Sequence, residues 1–282
     1  MVGETLGSEG GPVPPIRVYL AGGIALVGGD GVVITERALA GRQLRRMFVR
    51  LVAIHEPVSQ ADLADDLWET AWPPAWQVAI RALLSKIRTT FSLVGAADVL
   101  VSRGGTYELR LPADTWLDID AASQTIHRAE TSLRDGDRAT ACGWALASRA
   151  IASRPLLPGD EGAWLDDLRL RLVDVRLRAL ECLGEIWLAS GDAPLAARDA
   201  AEALDLDPYR ESAHRLLIRA HLASGERAAA IRAYDACRKL FRGELGVEPA
   251  PETTALVAPT LIDMRARGGG AHEGQPDGRS GA

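Results

Sequence analysis

The chain has 282 residues, 47% of them hydrophobic and 25% charged, with a formal net charge of −6. That is the composition of a globular protein long enough for two domains with real cores. No apolar run approaches the roughly 20 residues that span a bilayer and no signal peptide opens the sequence, so the expectation is a cytoplasmic protein without a membrane partner. Cys142, Cys182 and Cys237 are odd in number, widely spaced and set in helical sequence, as reduced core thiols of the cytosol would be. The charge is unevenly spread. Residues 16–112 hold 11 Lys/Arg against 9 Asp/Glu, a net of +2, and residues 113–265 hold 19 against 25, a net of −6. The first half is therefore the one suited to a polyanion.

Residues 1–15 are rich in Gly, Pro and acidic residues with nothing to bury, which predicts a disordered lead-in. From Ile16 the period is two. Arg17–Leu20, Ile24–Val27 and Val32–Ile34 read as short strands, and Gly28-Gly29-Asp30-Gly31 reads as a hairpin turn. A helix is predicted over 40–55, with Leu44, Met47, Phe48, Leu51 and Val52 on one stripe. Arg42, Arg45, Arg46 and Arg50 lie largely off that stripe and read either as phosphate contacts or as a solvated face. Ser59 is a candidate N-cap for a second helix over 60–68. After a linker carrying Trp72, a third helix is predicted over 74–91.

On this third helix Ile80, Leu84, Ile87 and Phe91 share a narrow arc. Arg81, Ser85 and Thr89 point away from it, flanked by Arg88 and Lys86. Cations and hydroxyls opposite an apolar stripe are what insertion into a major groove requires. The face is poor in Asn, Gln and His readers. Val99–Val101 and Thr106–Leu109, joined by a tight turn through Arg103, then predict a closing hairpin, so that residues 16–112 form a winged helix-turn-helix with small β-sheets.

Past a short linker at 112–114, period 3.6 takes over. Helices are predicted near 121–133, 138–152, 163–190, 194–206, 210–224, 227–243 and 252–265, followed by a disordered tail at 266–282. Within them the sequence echoes itself. Leu183, Trp187, Ala196 and Ala203 recur 34 residues on as Leu217, His221, Ala230 and Cys237. The turns Ser190-Gly191-Asp192 and Ser224-Gly225-Glu226 recur as well. A 34-residue period of this kind is the tetratricopeptide signature, and predicts an α-helical array over 118–265. The fold class expected is thus mostly α, a winged helix followed by a tetratricopeptide-like array.

No nucleophile elbow, phosphate loop or metal-binding spacing is present, which predicts a non-enzyme with no cofactor. Glu211-x-x-His214 has the spacing of a bundle ligand pair but lacks the second copy such sites need, so His214 reads as a structural histidine. Trp144, Trp164 and Trp187 sit at core spacing, and Trp72 and Trp76 remain open between packing and a surface role.

Several motifs carry a family resemblance. Pro155-Leu156-Leu157-Pro158-Gly159-Asp160-Glu161-Gly162 with Trp164-Leu165 is the first. Leu206-Asp207-Pro208-Tyr209-Arg210-Glu211, Ala213-His214-Arg215-Leu216, Arg232-Ala233-Tyr234 and Glu244-Leu245-Gly246-Val247-Glu248-Pro249 follow in order. Together they resemble the bacterial transcriptional activation domain of the SARP regulators of actinomycete antibiotic pathways. The N-terminal elements resemble the response-regulator-type (OmpR/PhoB-type) DNA-binding domain of the same family, through Leu39, Gly41, Arg42, Pro73-Pro74, Ser85-Lys86-Ile87-Arg88 and Gly105-Thr106-Tyr107. The resemblance implies a sequence-specific activator that binds double-stranded promoter DNA at direct repeats, as a homodimer on DNA. It also implies recruitment of RNA polymerase to genes of a secondary-metabolite cluster. Arg81, Ser85, Lys86, Arg88, Thr89 and Arg103 are the expected DNA contacts. The alternative, motivated by the small basic excess, is a tetratricopeptide-like interaction adaptor that has lost DNA binding.

Overall fold

The computed structural model describes residues 16–69 and 71–268. The segment 1–15 and residues 269–282 of the tail, both expected to be disordered, lie outside the described residues. The chain divides into two compact units, residues 1–128 with 147–176 and residues 129–146 with 177–282.

The first unit opens with β1 (Arg17–Tyr19), β2 (Ala25–Val27) and β3 (Val33–Thr35), an antiparallel meander in which Val18 faces Leu26 and Leu26 faces Ile34. These three residues are buried while their strand neighbours are not, the alternation expected of a sheet with one covered face. Helix α1 (Arg42–Ala53) starts after Gly41, whose φ of 100° suits glycine. A two-residue strand β4 (Val58–Ser59) leads into α2 (Gln60–Trp68). Ser59 caps α2 as expected: its hydroxyl oxygen accepts from the Asp62 N–H at 3.1 Å and the Asp62 carboxylate accepts from the Ser59 N–H at 3.2 Å.

Helix α3 (Trp76–Ser92) begins two residues later than the sequence predicts, because the Pro73 carbonyl accepts from the Trp76 N–H in a turn. Its Ile80, Leu84, Ile87 and Phe91 are fully buried, and Phe91 stacks on Phe48 of α1 with centroids 5.6 Å apart. The hairpin of β5 (Leu100–Arg103) and β6 (Thr106–Leu109) turns through Gly104 and Gly105, at φ 58° and 83°. Two consecutive residues at positive φ are what a two-residue hairpin loop needs. The three-stranded sheet has the order β4-β6-β5. Strand β7 (Trp116–Leu117) pairs in parallel with β1 and completes a four-stranded sheet, β3-β2-β1-β7.

Helices α4 (Asp118–Arg134), α5 (Arg138–Ala152) and α6 (Ala163–Ala189) follow. Asp118, the first residue of α4, is 1% exposed, and its carboxylate accepts from the backbone N–H groups of Leu20, Ala21 and Ile119 at 2.8–3.0 Å. Burial holds this carboxyl above the usual carboxylate range, with the three N–H bonds acting against the shift.

Arg46 of α1 has a side chain only 2% exposed. Its guanidinium donates to the Glu161 carbonyl and, at 2.6 Å, to the Asp66 carbonyl. Asp160 lies 3.6 Å away, and the guanidinium carbon sits 5.8 Å from the Trp164 ring centroid. The Trp164 indole N–H also donates to the Asp66 carbonyl, at 3.3 Å. That carbonyl lies in the last turn of α2, where the helix leaves its acceptors unmet and favours a cation. One buried side chain thus joins α1, the end of α2 and the segment 160–164.

In the second unit, the C-terminal part of α6 is followed by α7 (Ala193–Leu206), α8 (Glu211–Ala223), α9 (Arg227–Leu240), a π-helical turn at Phe241–Leu245 and α10 (Pro251–Gly268). The predicted small positions are fully buried: Ala196 and Ala203 in one copy, Ala230 and Cys237 in the next. A Cβ on Gly184 would lie 2.3 Å from a side-chain methyl of Leu216, which fills the space that the glycine leaves. Val257 of α10 packs on Ile218, Ala230 and Tyr234 and closes the second helix pair. Burial pushes the Cys182 and Cys237 thiols up to about 11, which leaves them inert as nucleophiles.

Replacing Arg46 with Met keeps the volume but leaves Asp160 and two carbonyls short of a partner. Urea unfolding of Arg46→Met should show a loss of about 3 kcal/mol. Arg42→Ala, which removes a half-exposed partner of the same Asp160, should give a much smaller shift.

Candidate nucleic-acid interface

The cations of the first unit fall into two groups. In α1, Arg42 pairs with Asp160, Arg45 with Glu36 at 3.2 Å, Arg46 with Asp160, and Arg50 with Asp66 at 2.6 Å. All four are engaged by carboxylates of the same unit, with Arg46 buried and Arg42 still half-exposed. On α3 the situation is reversed. The helix carries Arg81, Lys86 and Arg88 and not one carboxylate, and all three are exposed with no ion-pair partner among the described residues.

Arg103 ends β5 at the tip of the wing, opposite Thr106; it is exposed and forms no ion pair among the described residues, although its charge also acts on Glu108. The acidic neighbour in the wing, Glu108, is engaged by Arg110 at 2.7 Å, and that hydrogen bond holds its carboxyl below the usual carboxylate range. Of the six predicted contact residues, five therefore share the outer face of α3 and the sixth sits at the wing tip. Ser85 and Thr89 are exposed with the cations, but the Thr89 hydroxyl donates back to the Ser85 carbonyl at 3.1 Å. Thr89 thus offers a ligand its methyl and its oxygen lone pairs rather than a donor.

The first turn of α3 also exposes two residues that the sequence reading did not single out, Gln77 beside the core stripe and Val78 opposite it. The outward position of Val78 was readable from the helical period, since it falls opposite Ile80, Leu84 and Ile87.

Trp72 and Trp76 pack against each other, centroids 4.7 Å apart, and the Trp72 indole N–H donates to the Glu69 carbonyl at 3.0 Å and to Asp65 at 3.1 Å. They brace the α2–α3 connection. In the second unit, His214 shares a hydrogen bond of 2.8 Å with the Pro208 carbonyl, and Glu211 accepts from the Ala250 N–H at 2.6 Å. Both residues of the Glu-x-x-His spacing thus hold the array together. No group of three or more metal-ligating side chains occurs among the described residues.

Residues 117–260 match the family model described as bacterial transcriptional activator domain. The chain belongs to that family. With a winged helix ahead of the domain, it has the SARP-type architecture. It is 28% identical over 218 residues to the regulatory protein AfsR of Streptomyces coelicolor, covering 77% of this chain and 22% of AfsR. It is also 28% identical over 235 residues to the transcriptional regulatory protein MoaR1 of Mycobacterium tuberculosis, covering 79% of this chain and 73% of MoaR1. The chain thus spans only about a fifth of the length of AfsR. The structure of Mycobacterium tuberculosis EmbR in complex with a low affinity phosphopeptide superposes with a TM-score of 0.76 at 22% identity. It covers 88% of this chain and 65% of that one, and establishes the shared fold.

Because the α3 cations lack partners, removing them should leave the fold alone. Thermal and urea unfolding of Arg81→Ala and Arg88→Ala should match wild type within about 0.5 kcal/mol.

Proposed function

We propose that this SARP-type chain is a cytoplasmic, non-enzymatic transcriptional activator that binds double-stranded promoter DNA through α3 and the β5–β6 wing. The observation that carries the reading is the sorting of cations: every arginine of α1 is paired with a carboxylate of the same unit, while the four cations Arg81, Lys86, Arg88 and Arg103 of α3 and the wing tip make no ion pair among the described residues. A net of +2 over 16–112 therefore understates the local field at this one face. Phosphates position such a domain and base edges specify it. Residues 16–112 act as the DNA-binding part, and residues 118–265 as the activation domain that recruits RNA polymerase. Family membership supports tandem binding to direct repeats by two copies, at promoters of a secondary-metabolite cluster.

The test is titration of the full chain against the intergenic DNA around its own gene and against a random duplex, at several salt concentrations. Arg81→Ala should lose about 1–3 kcal/mol on the cognate site and little on random DNA, as expected for a guanidinium facing a guanine edge. Arg88→Ala and Arg103→Ala should weaken both duplexes alike and each lower the salt slope by about one unit. Absence of salt-dependent binding to any duplex would instead support an interaction adaptor built on the helical array.

A further inference from the structure

Val78 stands out on α3. At 100° per residue, Val78, Ala82, Ser85 and Thr89 fall within one narrow strip along the most outward line of the helix. Arg81 and Arg88 flank that strip on one side and Lys86 on the other, and all seven residues are exposed. Val78 is 59% exposed, although it belongs to a helix whose inner stripe buries every other large aliphatic residue at least in part. It lies in the first turn, the part of a recognition helix that meets base edges. Val78 thus stays exposed on the same face as three cations without ion-pair partners among the described residues, with Arg81 one turn along from it. The ligand that matches both features is a polyanion with an apolar group on its readable edge. In the major groove that group is the C5-methyl of thymine, the one methyl group among the donors and acceptors of the base edges.

We propose that Val78 is a specificity-determining residue that reads the C5-methyl of one thymine in the site bound by α3. The assignment rests on the DNA-binding function argued above and adds to it a residue and a base. Arg81 and the phosphate-facing cations hold the helix in the groove, and Val78 decides at one position between a methylated and an unmethylated pyrimidine edge. The adjacent Ala82, one turn along the same strip, is small enough to leave the methyl group room.

The experiment uses the full chain and a randomised duplex library. The enriched duplex is then remade with each thymine singly replaced by deoxyuridine, which removes the methyl group and nothing else. Wild type should lose about fourfold in affinity at one position, the worth of one buried methyl-sized group. Val78→Ala and the shape-matched Val78→Thr should bind the unmodified duplex more weakly, and Val78→Ala should lose nothing further at that position. Both variants should bind a random duplex like wild type. If no thymine is sensitive to the replacement in wild type, or if Val78→Ala keeps the full sensitivity, the assignment is overturned. A consensus that binds in an Arg81-dependent manner without methyl sensitivity would remove Val78 alone. Failure to enrich any duplex would remove the DNA-binding function together with it, and Val78-dependent self-association without DNA would assign the residue to a protein contact instead.

Discussion

A guanidinium taken out of water must find partners for its charge and its N–H groups, and the burial of Arg46 imposes that demand on the whole first unit. Its partners come from three places: a carbonyl at the end of α2, a carbonyl and a carboxylate at 160–161, and the Trp164 ring. Meeting them fixes the end of α2 and, through the short braced connection at Trp72 and Trp76, the start of α3. The segment leading to Asp160 is held from its other side as well. The Gly22 N–H donates to the Pro155 carbonyl at 2.8 Å, and Arg169 donates to the carbonyls of Leu156 and Leu157. The Pro155–Gly162 motif that marks the family is therefore, in this chain, a docking strap for the winged helix.

That strap supplies Asp160, one of the three carboxylates with which the four arginines of α1 are paired. Asp160 and Asp66, both largely buried, absorb Arg42, Arg46 and Arg50, while Glu36 takes Arg45. No carboxylate lies on α3, and the one in the wing, Glu108, is held by Arg110, so the cations without an ion pair collect on one surface. Burial holds the Asp66 carboxyl above its ordinary range even with Arg50 against it, a sign of how little water reaches this junction.

Much of this was legible in the sequence. Helices α2, α5, α7 and α8 fall within one residue of their predicted bounds because Ser59, Pro57, Gly191 and the Pro208 turn punctuate clean 3.6 periods. The 34-residue echo marks the array in the sequence alone, and the outward placement of Arg81, Lys86 and Arg88 follows from the stripe of Ile80, Leu84 and Ile87. Strands β4 and β7 were not legible. Each is two residues long, too short for an alternation, and each exists because of a partner far away in the chain, Tyr107 for Val58 and Arg17 for Trp116. Arg46 was not legible either, since its carbonyl partner Glu161 is 115 residues distant and an arginine off an apolar stripe reads as solvated.

The two copies of the 34-residue repeat are alike in period but not interchangeable. Gly184 is replaced one period on by Ile218, and the difference runs through the packing: Leu216 presses where the glycine leaves space, whereas Ile218 itself fills the groove beneath Val257. The first pair is a lock with its key built into the following helix, and the second is a plug that needs the closing helix as its lid. A copy of the first pair added after the second would present an empty notch to α10, and a copy of the second set before the first would meet Leu216 with a side chain already in place. The array therefore has a direction and a fixed length, and it grows or shrinks only by redesigning its seams.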